Sequence, residues 1–375
     1  MGNVCDTQSN SVDPEPQKNP VAASPIPPQN EEETPKHVEQ PDHKTHSTRP
    51  VSRAVSIRPD SQVSSLIRLL LLGAAESGKS TLLAQIRILY EQNYAEGELF
   101  HRKVFIYSNI LSSIQKLIEF VLSEGNNWSA PEHGAYAQNL LLEEPHYTRF
   151  TSEQEKAILA IWKEPVIQEA YKRRSAVNLN DSTKYFLENF DRINSTEYRP
   201  TPTDLIMSYI PTIGVQNVIF TANNKTFQLF DMGGQKMDRR KWTDMYDGID
   251  AIFFSLAISE YDQVMSEDMK TNRLEDSMDL LDKIAHESQF ESTPIFVFLN
   301  EIDVFTHKLT VIPLENFLPD YKGENTEDAL NFIEGMARSR LGRTEKKTFF
   351  IYRTVMVDTK SMEKILKEIF KKHLK

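Results

Sequence analysis

The stretch GAAESGKS at residues 73–80 constrains the fold more than any other part of the chain. It has the form G-x-x-x-x-G-K-[ST], in which backbone N–H groups and a lysine surround phosphate groups at the start of a helix. The preceding LIRLLLL at 66–72 is a nearly continuous apolar run, typical of a buried parallel strand, although its length does not exclude a buried helix. The following STLLAQIRILYEQ has helical spacing. Strand, loop and helix in this order favour a phosphate-binding loop over a chance match.

Length and composition exclude several classes of protein. The 375 residues suffice for two domains with a sizeable core. The net charge of −11 argues against nucleic-acid binding, because proteins that bind nucleic acid usually carry a basic surplus. No apolar stretch approaches the roughly 20 residues that a membrane-spanning helix needs. Cys5 is the single cysteine, so no intrachain disulfide can form. A protein of the cytosol or of a membrane surface fits best.

Residues 1–62 differ in composition from the rest of the chain. They contain ten of the 19 prolines and no aromatic residue. Such a segment cannot bury enough apolar surface to offset its conformational entropy, so we predict a disordered tail. Gly2 in MGNVC fits the start of a myristoylation pattern and Cys5 is a candidate for palmitoylation, although Asp6 stands where Ser or Thr is usual. Two acyl chains would anchor the chain stably; a plain terminus with a free thiol is the alternative.

The remaining pattern predicts an α/β sheet with an all-helical insertion after the first helix. Helical spacing continues through 91–203, with Pro165 as an interruption, in VFIYSNILSSIQKLIEFVL, SEQEKAILAIWKEPVIQEAYKRR and STKYFLENFDRI. Beyond Thr212, two segments have the pattern of paired strands, VQNVIF and KTFQLF. Two others have the pattern of buried strands, AIFFSLAI and IFVFLN. We assign 63–90 and 204–375 to one domain and 91–203 to an inserted helical domain.

Two further motifs follow apolar strands. In DMGGQ at 231–235, Asp231 can hold a metal ion through water, Gly234 can offer its N–H to a γ-phosphate, and Gln235 can orient an attacking water. In NEID at 300–303, the carboxylate of Asp303 can accept hydrogen bonds from the N1 and N2 donors of guanine. Each motif is weak alone. Together with the phosphate loop, and in this order, they are much more specific.

With these motifs the sequence resembles the α subunits of heterotrimeric G proteins, from about Leu66 to Phe370. YFLENFDRI and YRPTPTDLI look like the end of that family's helical domain and its linker to the first switch, and DMGGQKMDRRKW looks like the second switch. SLAISEYDQVMSEDMKTNRLEDSMDLLDKI resembles the next strand and helix, a block that small GTPases lack along with the helical insertion. The resemblance implies a Ras-like P-loop GTPase domain with an inserted all-helical domain, GTP or GDP between them, and Mg²⁺.

The resemblance also implies roles for individual residues. Those that hold phosphates are Glu76, Ser77, Gly78, Lys79, Ser80 and Thr81. Those around the metal and the γ-phosphate are Ser80 and Thr212 as Mg²⁺ ligands, Asp231 as metal support, Gly233, Gly234, and Gln235 as the residue that positions the catalytic water. Those near the base and sugar are Asn300 and Asp303, the backbone N–H of Met356 in TVMV, and Asp181 and Ser182 in the helical-domain loop LNDSTKYFL.

Four positions depart from the family pattern. Tyr209 stands where an arginine usually neutralises charge on the transferring phosphoryl group, a residue worth about 10³–10⁵ in rate. Ala75 replaces a glycine, and its methyl group would crowd Gln235 and the attacking water. Glu301 replaces the lysine that packs along guanine, and Met356 is larger than the usual alanine. We expect slow hydrolysis and weaker guanine affinity with guanine preference retained; drift with preserved activity is the alternative.

The resemblance says less about the partners of this protein than about its nucleotide. The resemblance implies a peripheral protein at the cytoplasmic face of the plasma membrane that works with a receptor and a βγ dimer. Prolines through 14–59 would break the N-terminal helix that binds βγ, which leaves the surface at 236–242, and the C-terminal helix stops short of the usual receptor-binding tail. The leading hypothesis is a GTP/GDP switch in receptor-linked signal transduction. A non-enzymatic scaffold with weak or static nucleotide binding is the first rival, and an ATP-using P-loop enzyme, disfavoured by N-x-x-D and the insertion, is the second.

Overall fold

The computed structural model describes residues 66–144, 148–342 and 348–374. The predicted tail at 1–62, with Gly2 and Cys5, lies outside these described residues. Six strands occur within them: β1 (Ile67–Gly73), β2 (Val215–Ala222), β3 (Lys225–Met232), β4 (Ala251–Ala257), β5 (Ile295–Asn300) and β6 (Phe349–Arg353). They form one sheet in the order β2-β3-β1-β4-β5-β6, in which β2 is antiparallel to β3 and the other neighbours are parallel. The loops that follow β1, β3 and β5 therefore meet at one edge of the sheet.

Helices cover both faces of this sheet and form the segment between α1 and β2. The α-helices are α1 (Lys79–Leu89), α2 (Glu96–Ser123), α3 (Pro131–Leu142), α4 (Ser152–Trp162), α5 (Pro165–Lys172), α6 (Thr183–Glu188), α7 (Phe190–Ile193), α8 (Pro202–Met207), α9 (Arg273–Ala285), α10 (Ile302–Leu309), α11 (Thr326–Leu341) and α12 (Thr359–Glu368). Alternate residues of the buried strands point to opposite faces. Leu70 and Leu72 accordingly pack in the core beneath α9 and α11, whereas Leu69 and Leu71 pack beneath α1 and α12.

The segment from α2 to α7 has a hydrophobic core of its own. Ile110, Ile114 and Leu117 of α2 lie in this core with Ile161 of α4 and Phe186 of α6. All five side chains are almost fully buried. A second core inside a long insertion is what an amphipathic α2 requires, because its apolar stripe must be covered by neighbouring helices. This arrangement, together with the sheet, confirms the predicted fold class, while the exact domain boundaries stay a prediction.

Local chemistry explains where several elements start and stop. Pro165 is the first residue of α5, and Glu164 before it is extended, as the residue before a proline tends to be. The β2–β3 hairpin turns at Asn223 and Asn224, which have φ of 51° and 61°. Asn tolerates this left-handed conformation, which matches the twist of a two-residue hairpin. The described residues contain no helix long and apolar enough to cross a membrane.

STKYFLENFDRI, which was expected to be helical, forms two short helices, α6 and α7, that are separated at Asn189. The strand β6 was not expected, because FFIYR has no clear period and its five residues are only half-buried. It pairs with β5 at the edge of the sheet, so tertiary contact rather than local pattern decides its conformation.

Candidate functional site

The loop from Gly73 to Ser80 joins β1 to α1 and has unusual backbone geometry. Its residues with positive φ are Gly73, Glu76 and Gly78, so Ala75 carries its methyl group without left-handed strain. A Cβ at Gly78 would lie 2.3 Å from the side-chain nitrogen of Asn300, so no side chain fits there. The loop ends at the N-terminus of α1, where unpaired N–H groups attract anions.

Lys79 is the buried cation of this loop. Its side chain is 5% exposed, and its ammonium group donates a 2.6 Å hydrogen bond to the carbonyl of Ala74. Burial lowers the pKa of Lys79 to about 8, against the opposing effect of the Asp231 carboxylate. A Cβ at Gly234 would lie 2.5 Å from the Lys79 nitrogen and 2.6 Å from the backbone carbonyl carbon of Ala74. Only glycine therefore fits at position 234. This close approach places the DMGGQ motif directly beside Lys79.

Three side chains from distant parts of the chain form a compact oxygen cluster. The hydroxyl oxygens of Ser80 and Thr212 are 2.9 Å apart. Both hydroxyls also donate to one carboxylate oxygen of Asp231, at 3.3 and 3.2 Å. The other carboxylate oxygen of Asp231 is buried without a hydrogen-bond partner, and burial raises the pKa of this carboxyl to about 6.

This cluster fits Mg²⁺. Two neighbouring ligands of an octahedral ion with bonds of about 2.0–2.1 Å lie about 2.9 Å apart. The separation of the Ser80 and Thr212 oxygens matches that distance. Asp231 lies behind both hydroxyls and is fully buried, so it reaches a cation through them or through water rather than directly. Mg²⁺ usually keeps several waters and takes few protein ligands, which agrees with this sparse oxygen set.

The loop after β5 and the loop after β6 meet beside Gly78. The side-chain oxygen of Asn300 accepts a 3.0 Å hydrogen bond from the backbone N–H of Met356, and its nitrogen donates to the Ser77 carbonyl at 3.3 Å. The Met356 carbonyl accepts a 2.7 Å bond from Gln85. The Met356 side chain is 1% exposed. Its sulfur lies close to Gly78 and 3.9 Å from the Ser255 hydroxyl, and Met356 lines the cavity together with Asp303.

A cavity of about 340 Å³ connects these groups, and its lining comes from both the sheet and the helical segment. The predicted site residues that line it are Glu76, Gly78, Lys79, Ser80, Thr81, Asp181, Ser182, Thr212, Gly234, Gln235, Asn300, Asp303 and Met356. Ser77, Asp231 and Gly233 lie behind this lining. The Ser77 and Gly233 carbonyls accept bonds from Ser255 and from the Trp242 indole, respectively.

Tyr209 occupies the cavity wall between the helical segment and the phosphate loop. Its backbone carbonyl accepts a 2.9 Å hydrogen bond from Asn109 of α2. Burial, together with the nearby Glu76 carboxylate, raises the pKa of Tyr209, so its hydroxyl stays neutral. Tyr209 therefore offers no positive charge to the cavity.

Arg273, at the start of α9, contacts the same loop, and sequence reasoning missed it. Its guanidinium pairs with Glu76 at 2.9 Å and with Glu260 at 2.5 Å, and it donates to the carbonyl of Ala75 at 3.2 Å. Glu260 is buried, which raises the pKa of its carboxyl to about 7 although Arg273 opposes this effect. A lone arginine in a helical pattern gives no sequence signal, so only the packing of α9 reveals this contact.

The helical-segment residues of the site are held by local bonds. The hydroxyl and the backbone N–H of Ser182 both donate to the side chain of Asn180, at 2.6 and 2.9 Å. The carboxylate of Asp181 pairs with Arg174 at 2.7 Å. Asn180 and Arg174 also line the cavity, and neither was expected from the sequence. These bonds hold the loop before α6 in a fixed conformation where it lines the cavity.

Glu301 follows β5 and has φ of 67°, an uncommon conformation for a residue with a side chain. Its carboxylate accepts a hydrogen bond from the hydroxyl of Ser259. Burial and the nearby carboxylates of Glu260 and Asp181 raise the pKa of Glu301. An acidic group therefore stands in the cavity wall between the two segments, where the family pattern has a lysine.

The fold and the loop define the class: an α/β protein with a phosphate loop and an inserted helical segment. The family model for the G-protein alpha subunit matches residues 45–373. The chain is 51% identical to the guanine nucleotide-binding protein alpha-13 subunit of Caenorhabditis elegans over 321 residues, 84% of this chain and 92% of that protein. It is also 51% identical to the alpha-13 subunit of Caenorhabditis briggsae, over 85% of this chain and 92% of that protein. The alpha-17 subunit of C. elegans is 35% identical over 82% of this chain and 87% of its own.

The chain therefore belongs to the G-protein alpha subunit family. Members of this family are GTPases that bind GTP and GDP and act as nucleotide-dependent signalling switches. They generally work with βγ dimers and receptors and are generally peripheral at the membrane.

Proposed function

We propose that this chain is a G-protein alpha subunit that switches between GTP-bound and GDP-bound states, with Mg²⁺ as its metal ion and with slow intrinsic hydrolysis. The phosphates bind over the N-terminus of α1, with Lys79 as their buried counter-charge. Guanine binds beside Asp303, which lines the same cavity. The second switch, around Gln235, orders when the γ-phosphate is present and relaxes after hydrolysis.

Ser80 and Thr212 are the proposed Mg²⁺ ligands, and Asp231 is their support. The distance between the two hydroxyl oxygens and the unpartnered oxygen of Asp231 support this assignment. When bound, Mg²⁺ neutralises phosphate charge. The protein's own contribution is to hold the two hydroxyls at the spacing of neighbouring ligands.

The neutral side chain of Tyr209 in the cavity wall carries the proposal of slow hydrolysis. Negative charge that develops on the transferring phosphoryl group is stabilised best by a guanidinium, and Tyr209 offers only a neutral hydroxyl. Arg273 is close to the loop, but its guanidinium is paired with two carboxylates. Ala75 adds a methyl group to the cavity wall that Gln235 shares. The neutral Tyr209 and the methyl group of Ala75 slow the chemical step more than they weaken phosphate binding.

The proposed setting is the cytoplasmic face of the plasma membrane, with lipid anchors at Gly2 and Cys5. Two acyl chains give stable anchoring, whereas one gives marginal binding. A βγ dimer would contact the exposed part of the second switch, between Lys236 and Lys241, where Met237 is 64% exposed; Trp242 itself is buried in the hydrophobic core. A G-protein-coupled receptor is the proposed activating partner.

Nucleotide competition tests the proposed function. Purified protein in Mg²⁺ is titrated with a fluorescent GTP analogue, and unlabelled GTP or ATP is added as competitor. We expect GTP but not ATP to compete, and we expect Asp303→Asn to weaken binding by about ten- to hundredfold, because guanine's two donors lose a charged acceptor. The exposed Asp320→Asn serves as the matched control. Competition by ATP would indicate an ATP-using enzyme. If no GTP bound at high micromolar concentration, the protein would instead be a non-enzymatic scaffold.

A further inference from the structure

The stretch from α8 to Thr212 connects the helical segment to the oxygen cluster of the site. Met207, the last residue of α8, packs against the hydrophobic core of the helical segment. At the other end, the hydroxyl of Thr212 lies 2.9 Å from the hydroxyl of Ser80 and 3.2 Å from a carboxylate oxygen of Asp231. This short stretch is therefore attached to the helical segment at one end and to the GTPase part at the other.

Asn109 holds the middle of this stretch. It lies on α2, and its side-chain N–H donates a 2.9 Å hydrogen bond to the backbone carbonyl of Tyr209. Within residues 66–144, 148–342 and 348–374, this is the one hydrogen bond that the backbone from Tyr209 to Pro211 makes. The position of this backbone therefore depends on a side chain of the helical segment, because no helix or strand ladder holds it.

The residues between this bond and Thr212 limit how far the two ends can move apart. Three residues reach at most about 10 Å when fully extended. Pro211 has a fixed φ and disfavours helical backbone at Ile210, which restricts local rearrangement further. A larger movement of α2 away from the sheet must therefore break the bond from Asn109 or pull Thr212 out of the oxygen cluster.

We propose that Asn109 is a positioning residue for the metal site: through Tyr209 it places Thr212, so that closure of the helical segment on the GTPase part strengthens Mg²⁺ binding. The inference rests on the proposed function, in which Ser80 and Thr212 are the Mg²⁺ ligands. Coupling between two binding events is reciprocal. Mg²⁺ at these hydroxyls therefore also favours the closed position of the helical segment.

The test is the Mg²⁺ concentration that half-maximally slows release of a fluorescent, non-hydrolysable GTP analogue, chased with excess unlabelled GTP. We expect Asn109→Ala to raise this concentration about fivefold, the effect of losing one hydrogen bond. Asn109→Asp keeps the size of the side chain but replaces the donor with an acceptor, so it should raise the concentration at least as much.

Gln115→Ala is the matched control. Gln115 also lies on α2 and donates a 2.9 Å hydrogen bond to a backbone carbonyl, but its acceptor, Leu140, belongs to the helical segment itself. This variant should keep the Mg²⁺ requirement of the parent protein. The route through Thr212 is tested by adding Asn109→Ala to Thr212→Ala. No further rise is expected, because the ligand that Asn109 places is already lost.

The possible results separate the inference from the proposed function. An unchanged Mg²⁺ requirement in both Asn109 variants, with nucleotide bound, would overturn the inference and leave the switch intact. A further fivefold rise in the Thr212→Ala background would also overturn it, because Asn109 would then act by another route. If the parent protein bound no GTP analogue, or if Mg²⁺ did not slow release from it, the proposed nucleotide site or metal site would itself fail.

Discussion

The hydroxyl oxygens of Ser80 and Thr212 lie 2.9 Å apart, although 132 residues separate them in the chain. The whole helical segment is inserted between these two residues. Ser80 is fixed by the first turn of α1, and Thr212 by its bond to Asp231 at the end of β3. The distance between the two oxygens therefore depends on the sheet and the insertion being in place together.

Removing either hydroxyl should make nucleotide retention insensitive to Mg²⁺. In the parent protein we expect a chelator to accelerate release of a fluorescent GTP analogue, because Mg²⁺ held by these hydroxyls would neutralise phosphate charge. In Ser80→Ala and Thr212→Ala, release in Mg²⁺ should approach the chelator-treated rate of the parent. Thr212→Ser, which keeps the hydroxyl, is the matched control. A normal Mg²⁺ effect in both alanine variants would argue against this oxygen set as the metal site.

Replacing Tyr209 with arginine should accelerate hydrolysis in a single turnover. A guanidinium at this position is worth about 10³–10⁵ in rate when it reaches the transferring phosphoryl group, and we expect at least about tenfold because Ala75 remains. Tyr209→Phe removes the hydroxyl without adding charge, so it should not accelerate the step. The measurement is phosphate release from GTP-loaded protein. Equal rates in the parent and the arginine variant would show that another group already supplies the charge.

Gly78→Ala should abolish tight nucleotide binding. A Cβ at this position would approach the Asn300 nitrogen to 2.3 Å and the Met356 sulfur to 2.9 Å, and the backbone φ of 98° is unfavourable for alanine. The phosphate loop and the base-side loops must then separate. We expect at least about a hundredfold weaker binding of fluorescent GTP, from the combined loss of several hydrogen bonds. Gly335→Ala, where the added methyl group meets open space, should bind as the parent does.

Asp204 should set the acid limit of stability in the helical segment. It is fully buried and accepts hydrogen bonds from Arg192, Tyr185 and Tyr198. Burial alone would raise its pKa, but the bonds from Arg192, Thr201 and Tyr185 lower the pKa to about 2, from an ordinary value near 3.8. Its stabilising contribution is therefore fully present above about pH 4 and is lost as the pH falls toward 2.

Asp204→Asn tests this contribution. At neutral pH we expect a loss of about 1–2 kcal/mol in the free energy of unfolding, because three donors lose a charged acceptor, whereas Arg192 is 39% exposed and is solvated in its absence. Between about pH 4 and pH 2, the stability of the variant should change less steeply than that of the parent. Denaturant unfolding at several pH values measures both effects. Asp191→Asn, an exposed site on α7, is the control. A parallel loss of stability in the parent and the Asp204 variant on acidification would contradict this role.

The main architecture could be predicted from local patterns. The apolar run before Gly73 and the alternating residues around Asn223 and Asn224 have strand periods, and they form β1 and the β2–β3 hairpin. Pro165 ends one helix and starts the next, as its fixed φ and missing N–H require. β6 could not be predicted in this way, because its half-buried residues owe their conformation to pairing with β5.

The candidate site also combines features that the sequence predicts with contacts that only the tertiary structure shows. The sequence by itself determined the class of loop, since glycines and a lysine at this spacing are needed where backbone must approach phosphate. It also determined the departures at Tyr209 and Glu301, which are matters of residue identity. Only the tertiary structure decided what these residues contact: Tyr209 bonds to Asn109 of α2, Glu301 bonds to Ser259, and Arg273 reaches the loop from α9. Contacts between groups far apart in the chain depend on how helices and strands pack, and local spacing carries no record of that packing.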